Sequence, residues 1–153
     1  MLRAFLAASL IAASSPALAD ETSAGDLTID GAHIFKSFMN ARAAGGYMTI
    51  SNGGGEADLL LDVMADVPMI AIHESREEDG VMRMVHLDAV EIAPGETVAF
   101  RPGGLHVMVM GLGPDDLPVG DTLDVTLVFD RAGEVDVTFE VMERPEGGMQ
   151  MTH

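Results

Sequence analysis

The stretch DTLDVTLVFDRAGEVDVTFEVM, from Asp121 to Met142, decides the fold because apolar residues occupy alternate positions in both of its halves. Side chains of a β-strand alternate between two faces, so this pattern predicts strands with one face in a core and the other in water. Ala132-Gly133 separates the two halves and favours a turn. We therefore expect antiparallel strands at Asp121–Phe129 and Val135–Met142.

Similar short apolar or alternating segments recur from Asp26 onward, separated by Gly, Pro, Asn and Asp, and no long segment has the apolar period of a helix. The other predicted strands are Leu27–Asp30, Tyr47–Ser51, Leu59–Val63, Met69–Glu74, Val81–Leu87, Thr97–Phe100 and Leu105–Met110. The segment Gly31–Ala44 is compatible with a loop or with one helical turn. Consecutive strands without crossover helices predict an all-β fold, a Greek-key β-sandwich or barrel.

The first nineteen residues have the features of a secretory signal peptide: Arg3, an apolar stretch Ala4–Ala13, and small residues ending at Ala17-Leu18-Ala19. The apolar stretch is too short to span a bilayer, and no second long apolar run follows it. The chain has no Cys that could accept a lipid. The expected organisation is a signal peptide at 1–19, one β-domain at 20–142 and a mobile tail at 143–153, exported as a soluble product.

The composition excludes several classes of function. A formal net charge of −17 repels phosphate backbones, so nucleic acid is a poor partner. The acidity is explained by solubility or salty surroundings, or alternatively by attraction of cations or of a basic protein. The absence of Cys excludes disulfides, thiol-disulfide reductase chemistry and the blue-copper type of electron-transfer centre.

The chain contains twelve Met and five His, and the placement of some of them indicates a metal site. His106 and Met108 are two residues apart on a predicted strand, so both project from the same face. The preceding turn at Pro102–Gly104 predicts that they lie at an accessible rim of the fold.

A second group forms a predicted hairpin. His73 ends one strand, an acidic turn follows at Arg76–Gly80, and the next strand carries Met82, Met84 and His86 on one face. The short turn predicts that His73 and Met84 lie across from each other. If the two hairpins pack side by side, His73 and Met84 converge with His106 and Met108.

Thioethers and neutral imidazoles are the ligands that suit copper(I), whereas calcium prefers oxygen and structural zinc usually recruits thiolate. Thioethers need no deprotonation and cannot be lost to disulfides, which suits an oxidising compartment. A packing role remains the alternative for each residue taken alone, because Met at alternate strand positions is mostly core and a single His is mostly structural. A purely structural or adhesive sandwich would have no specific copper(I) affinity.

The spacing from His73 to Met108 is H-x10-M-x21-H-x-M, and it resembles the signature of the periplasmic copper chaperone family PCuA(C). The resemblance extends from about Leu27 to Met142. The flanking sequence segments that also resemble the family are His73-Glu74-Ser75, Gly80–Met84, Pro94–Val98, Pro102–Met108 and Gly46–Asn52. One departure is that the family commonly has a Trp in the segment that here reads Ala32-His33-Ile34-Phe35.

The resemblance implies a cupredoxin-like β-fold that binds one copper(I) ion through His73, Met84, His106 and Met108. It also implies a non-enzymatic periplasmic chaperone, a monomer that hands copper to the dinuclear copper centre of cytochrome c oxidase, with oxidase subunit II or another copper chaperone as acceptor. Copper sequestration for tolerance is the alternative role for the same site. Second-rank candidates are Met82, His86 and Met110. Some relatives bind a second copper in a Met- and His-rich C-terminal extension. Met149, Met151 and His153 are a short version of it, compatible with a second weak copper site or with an ordinary frayed terminus.

Overall fold

A computed structural model describes residues 21–36 and 42–145 of the chain. These residues form eleven strands: β1 Thr22–Ala24, β2 Leu27–Lys36, β3 Ala43–Asn52, β4 Asp58–Ala65, β5 Met69–Glu78, β6 Val81–His86, β7 Val90–Ile92, β8 Thr97–Phe100, β9 Leu105–Met110, β10 Thr122–Phe129 and β11 Gly133–Met142. Within the same residues no helix is long and apolar enough to cross a membrane. The predicted signal peptide, and the tail from residue 146 on, lie outside the described residues.

The strands pair in the order β6-β5-β9-β3-β2-β11-β10-β4-β7, with β1 joined to β2 and β8 joined to β3. They form one curled sheet, a half-barrel, which agrees with the predicted all-β fold class. β10 and β11 pair antiparallel, from Thr122 opposite Glu140 to Phe129 opposite Gly133, as predicted. β6 is at one end of the order and β7 is at the other.

The alternating pattern of β10 and β11 places every second side chain in the core. Leu127 and Phe139 have no more than 2% of their surface exposed, whereas Asp124 and Glu140 are exposed. Burying an aliphatic or aromatic side chain stabilises a fold by about 1.5 to 3 kcal/mol. The other fully buried large residues include Ile29, Ile34, Met48, Ile50, Leu60, Ile92, Leu112, Val107, Val109 and Val125.

Where it is described, the segment Gly31–Ala44 is neither a loop nor a helical turn. β2 continues to Lys36 after a register shift between Asp30 and His33, and Gly31 has a φ of 64°. The shift is a β-bulge, which breaks the alternating pattern that sequence analysis relies on. In this segment, which lacks the Trp of the resembling family, the rings of His33 and Phe35 pack against each other with centroids 4.7 Å apart.

The hairpin between β5 and β6 also differs from the prediction. β5 extends to Glu78, and the turn consists of Asp79 and Gly80, with φ values of 55° and 77°. Two central residues with positive φ are typical of a type I′ turn, for which Asp-Gly is a preferred sequence. The expected turn at Arg76–Gly80 is therefore wrong, and His73 lies in the middle of β5 instead of at its end.

Candidate metal centre

Three adjacent strands place a row of three histidines on one face of the sheet. His73 on β5 lies opposite His86 on β6 and also opposite His106 on β9. The ring centroid of His73 is 5.7 Å from that of His86 and 6.0 Å from that of His106, with interplanar angles of 89° and 79°. Because opposed residues of paired strands share a face, the three imidazoles form a contiguous group.

The two predicted thioether ligands lie on the same face, on either side of this row. Met84 on β6 pairs with Ser75, and Met108 on β9 pairs with Ala71. Each methionine is therefore a diagonal neighbour of His73, and diagonal neighbours lie about 7 to 8 Å apart, within reach of long side chains. The structure thus brings the four predicted ligands to one face, with His73 at the centre.

The expectation that His73 lies directly across from Met84 is wrong, because His86 occupies that position. The difference comes from the turn. A two-residue turn at Asp79-Gly80 pairs Glu78 with Val81 and fixes every other pair of the hairpin. Sequence analysis ranked His86 below Met84, although the Asp-Gly dipeptide was the signal that would have revealed the register.

Small neighbours surround the thioether of Met108. Its partner on β5 is Ala71 and its partner on β3 is Gly45. A Cβ added to Gly45 would lie 2.6 Å from the hydroxyl oxygen of Tyr47, so the phenol ring extends over this glycine. Tyr47 itself is only 6% exposed. The small residues Ala71 and Gly45 therefore leave space for the flexible side chain of Met108, and the ring of Tyr47 lies beside that space.

The site has a buried side and an exposed side. His106 is 6% exposed, so the expectation that it lies at an accessible rim is wrong. Met84 is 54% exposed because, in the described part of the chain, β6 is an end strand of the sheet and pairs only with β5. An ion held among these ligands would contact solvent or a partner from the β6 side.

The hydrogen bond of His106 determines which nitrogen is available. Its Nδ1 lies 3.0 Å from the carbonyl oxygen of Gly104, and a carbonyl oxygen can only accept, so Nδ1 carries the proton and donates. In the neutral imidazole the lone pair is then on Nε2, which is the nitrogen free to bind a metal. A backbone carbonyl in this position also fixes the orientation of the ring.

His73 presents a buried Nδ1 that has no hydrogen-bond partner among the residues that the structure describes. Burial lowers the pKa of His73 below 6.5, and the neighbouring His106 and His86 lower this pKa further. The imidazole is thereby kept neutral, which is the form that binds a metal. A buried polar atom without a partner is unusual in a native protein, and a metal ion at this nitrogen would satisfy it.

Among residues 21–36 and 42–145, no three His, Asp or Glu side chains are grouped so that they could hold a metal ion by themselves. The candidate ligand set instead mixes two imidazoles with two thioethers. The predicted second copper site at Met149, Met151 and His153 lies outside the described residues.

A family model described as "Putative lipoprotein LpqE-like" matches residues 27–141. The chain is 28% identical over 121 residues to "Putative lipoprotein Lxx21020" of Leifsonia xyli subsp. xyli (strain CTCB07), covering 74% of this chain and 71% of that protein. It is 32% identical over 87 residues to "Uncharacterized protein RP573" of Rickettsia prowazekii (strain Madrid E). That second match covers 55% of this chain and 47% of the Rickettsia protein, about half of its length.

A solved structure with a similar fold is the "Copper-bound PCuAC domain from PmoF2", with a TM-score of 0.67 and 27% sequence identity. The match covers 82% of this chain and 99% of that domain. This likeness confirms the cupredoxin-like all-β fold class that was predicted from the sequence. The family match covers most of the chain, and the chain belongs to the LpqE-like family.

Proposed function

We propose that this chain is an exported copper(I) chaperone, whose cargo is bound by His73, Met84, His106 and Met108. The observation that carries the proposal is the opposed pair His73 and His106, flanked diagonally by the two methionines on one face of the sheet. The unpartnered Nδ1 of His73 supports it, because a bound ion would give this buried nitrogen a partner that no described residue supplies.

The donor atoms select the metal. Two thioether sulfurs and two neutral nitrogens suit copper(I), while magnesium and calcium require oxygen ligands. The chain has no Cys, so neither a thiolate zinc site nor a blue-copper centre is available. The spacing of the four ligands, which matches the PCuA(C) signature, and the fold shared with a copper-bound PCuAC domain support the same choice.

The role that follows is transfer of an ion, without a substrate bond being made or broken, so the chain is not an enzyme. The expected acceptor is the dinuclear copper centre of cytochrome c oxidase, through subunit II or through another copper chaperone. The expected location is the periplasm. The signal-like segment at 1–19 and the lipoprotein names of the family and the Leifsonia relative support export.

Sequestration of copper would use the same four ligands. The exposure of Met84, at 54%, favours transfer because a partner can reach one ligand of the bound ion without opening the sheet. A sequestering protein gains nothing from an exposed ligand, which would allow competitors to remove the ion.

The test is to load the exported chain with copper(I) under anaerobic, reducing conditions and to titrate it against a copper(I) chelator such as bathocuproine disulfonate. We expect a single tightly bound ion with both sulfur and nitrogen in its X-ray absorption shell. Mixing the loaded chain with a purified copper-acceptor domain should then move the ion to the acceptor. An affinity no greater than that of an unstructured Met-containing peptide would refute the proposal, and tight binding without transfer would leave sequestration as the function.

A further inference from the structure

The ligands on β6 and β9 form two similar pairs on either side of His73. β9 carries His106 and Met108 two residues apart, and β6 carries Met84 and His86 two residues apart. Both histidines of these pairs lie opposite His73. His73 is therefore flanked on each side by one imidazole and one thioether that share its face of the sheet.

The two pairs differ in their access to solvent. His106 is 6% exposed and Met108 is half-buried, whereas Met84 is 54% exposed and the side chain of His86 is 60% exposed. The difference follows from the sheet order, because β9 lies between β5 and β3 while β6 is an end strand. The pair His106 and Met108 therefore lies on the side of His73 toward the middle of the sheet, and the pair Met84 and His86 lies on the side toward the sheet edge.

We infer that Met84 and His86, together with His73, form an outer copper(I) position that the ion occupies on its way into and out of the inner site. This inference rests on the proposed function. The outer set consists of two imidazoles and one thioether, and the inner set of two imidazoles and two thioethers. Both sets use the same donor types, so the outer set suits the same ion. His86 is the additional coordinating residue in this position, and the ion that it binds is copper(I).

The exchange between positions is a substitution of ligands. The bond from copper to the imidazole of His86 forms as the bonds to His106 and Met108 break, while His73 and Met84 remain bound. The ion keeps its single positive charge, and no electron is transferred. Because each intermediate keeps soft donors around the ion, the ion never passes through bulk water.

Asp88 is placed to orient the outer ligand. Its Oδ1 lies 3.4 Å from Nε2 of His86, and the Asp88 side chain is fully exposed. A carboxylate beside one ring nitrogen favours metal binding through the other nitrogen. For His86 the metal-binding nitrogen in the outer position is then Nδ1.

The first test separates the two positions by removing the inner one. His106→Ala is expected to weaken copper(I) binding and to leave the weaker binding of the outer set, and adding His86→Ala should lower the remaining affinity by a further factor of about ten. Arg83→Ala, which changes an exposed side chain on the other face of β6, is the matched control and should have no such effect. Equal affinities of His106→Ala and the double variant would overturn the outer position. Equal affinities of the wild-type chain and His106→Ala would instead refute the proposed function itself.

The second test measures transfer. Stopped-flow mixing of the copper(I)-loaded chain with bathocuproine disulfonate should show a rate about tenfold lower for His86→Ala, a loss larger than its loss of equilibrium affinity. Circular dichroism and thermal unfolding of each variant establish that the sheet is intact. A transfer rate of His86→Ala equal to that of Arg83→Ala would overturn the inference.

Discussion

The imidazoles of His73 and His106 face each other across β5 and β9, with ring centroids 6.0 Å apart. Their separation is set by the backbone pairing of two strands and not by a loop, so in the proposed function these two ligands would be positioned before an ion arrives. Preorganisation of this kind reduces the ordering cost of binding. It also means that single ligands can be replaced without rebuilding the sheet.

Met108→Leu should weaken copper(I) binding by about tenfold or more while changing the free energy of unfolding by less than about 1.5 kcal/mol. The substitution removes the thioether sulfur but nearly conserves volume in a half-buried position. Met48→Leu is the matched control, because Met48 is a core methionine with 2% exposure. Competition titration and urea denaturation of both variants check the prediction. An equal effect of the two substitutions on affinity would show that the Met108 sulfur is not a ligand.

His106→Ala should lower both copper(I) affinity and stability. His106 is 6% exposed and donates to the Gly104 carbonyl, so its removal leaves a gap and a lost hydrogen bond. We expect a loss of about 1 to 2 kcal/mol in the free energy of unfolding. Urea denaturation of the metal-free chain measures this loss, and chelator competition measures affinity. Unchanged stability would mean that the ring contributes nothing to packing.

Most of the fold could be predicted because nine strands have either alternating or continuous apolar patterns, of which β10 is the clearest. β1 and β7 were missed because three residues are too few to show a period. The second half of β2 was missed because the bulge at Gly31 shifts the alternation to the other face. Sequence patterns therefore fail where the backbone geometry departs from the regular strand.

The four candidate ligands are a prediction from residue type and spacing, but their arrangement in the sheet could not be predicted. The partner of His73 depends on the register of one hairpin, and the wrong turn placed Met84 where His86 lies. The strand that carries His106 also pairs, through its C-terminal part, with β3, which is distant in sequence. No local sequence pattern identifies such tertiary neighbours. The two-residue turn, in contrast, is indicated by the local dipeptide Asp79-Gly80.

Gly80→Ala should destabilise the hairpin that carries Met84 and His86. Gly80 has a φ of 77°, which an alanine adopts only at a cost of about 1 to 2 kcal/mol, although a Cβ there would meet open space. Gly55→Ala is the matched control, since Gly55 also has open space but no positive φ. Urea denaturation should show a loss of stability for Gly80→Ala alone. Similar stabilities of the two variants would mean that this turn tolerates another backbone conformation.

Asp58→Ala should be strongly destabilising, by about 2 kcal/mol or more. Asp58 is 5% exposed, and its carboxylate accepts hydrogen bonds from the amides of Leu59, Arg131 and Ala132, which tie the β10–β11 turn to β4. Removing the acceptor leaves these donors without partners. Asp62→Ala is the control, because Asp62 is exposed and accepts from the adjacent Val63 amide. Thermal and urea unfolding compare the two, and equal losses would contradict the assigned role of Asp58.

The stability of the metal-free chain should fall as the pH decreases below about 6.5, in part because of His73. The pKa of this imidazole is lowered in the folded state, mainly by burial and further by His106 and His86. Between the folded and unfolded pKa values the unfolded chain binds more protons, so stability rises with pH across that window and is lost as pH falls through it.

Replacing His73 by Asn removes this contribution, and the variant should lose less stability than the wild-type chain between about pH 7.5 and pH 5.5, measured by urea denaturation with a chelator present. Carboxylates titrate in both the wild-type and the variant chain. The informative quantity is therefore the difference between the two chains in the stability that each loses. If the two chains lost stability in parallel, the low pKa of His73 would have no consequence for folding.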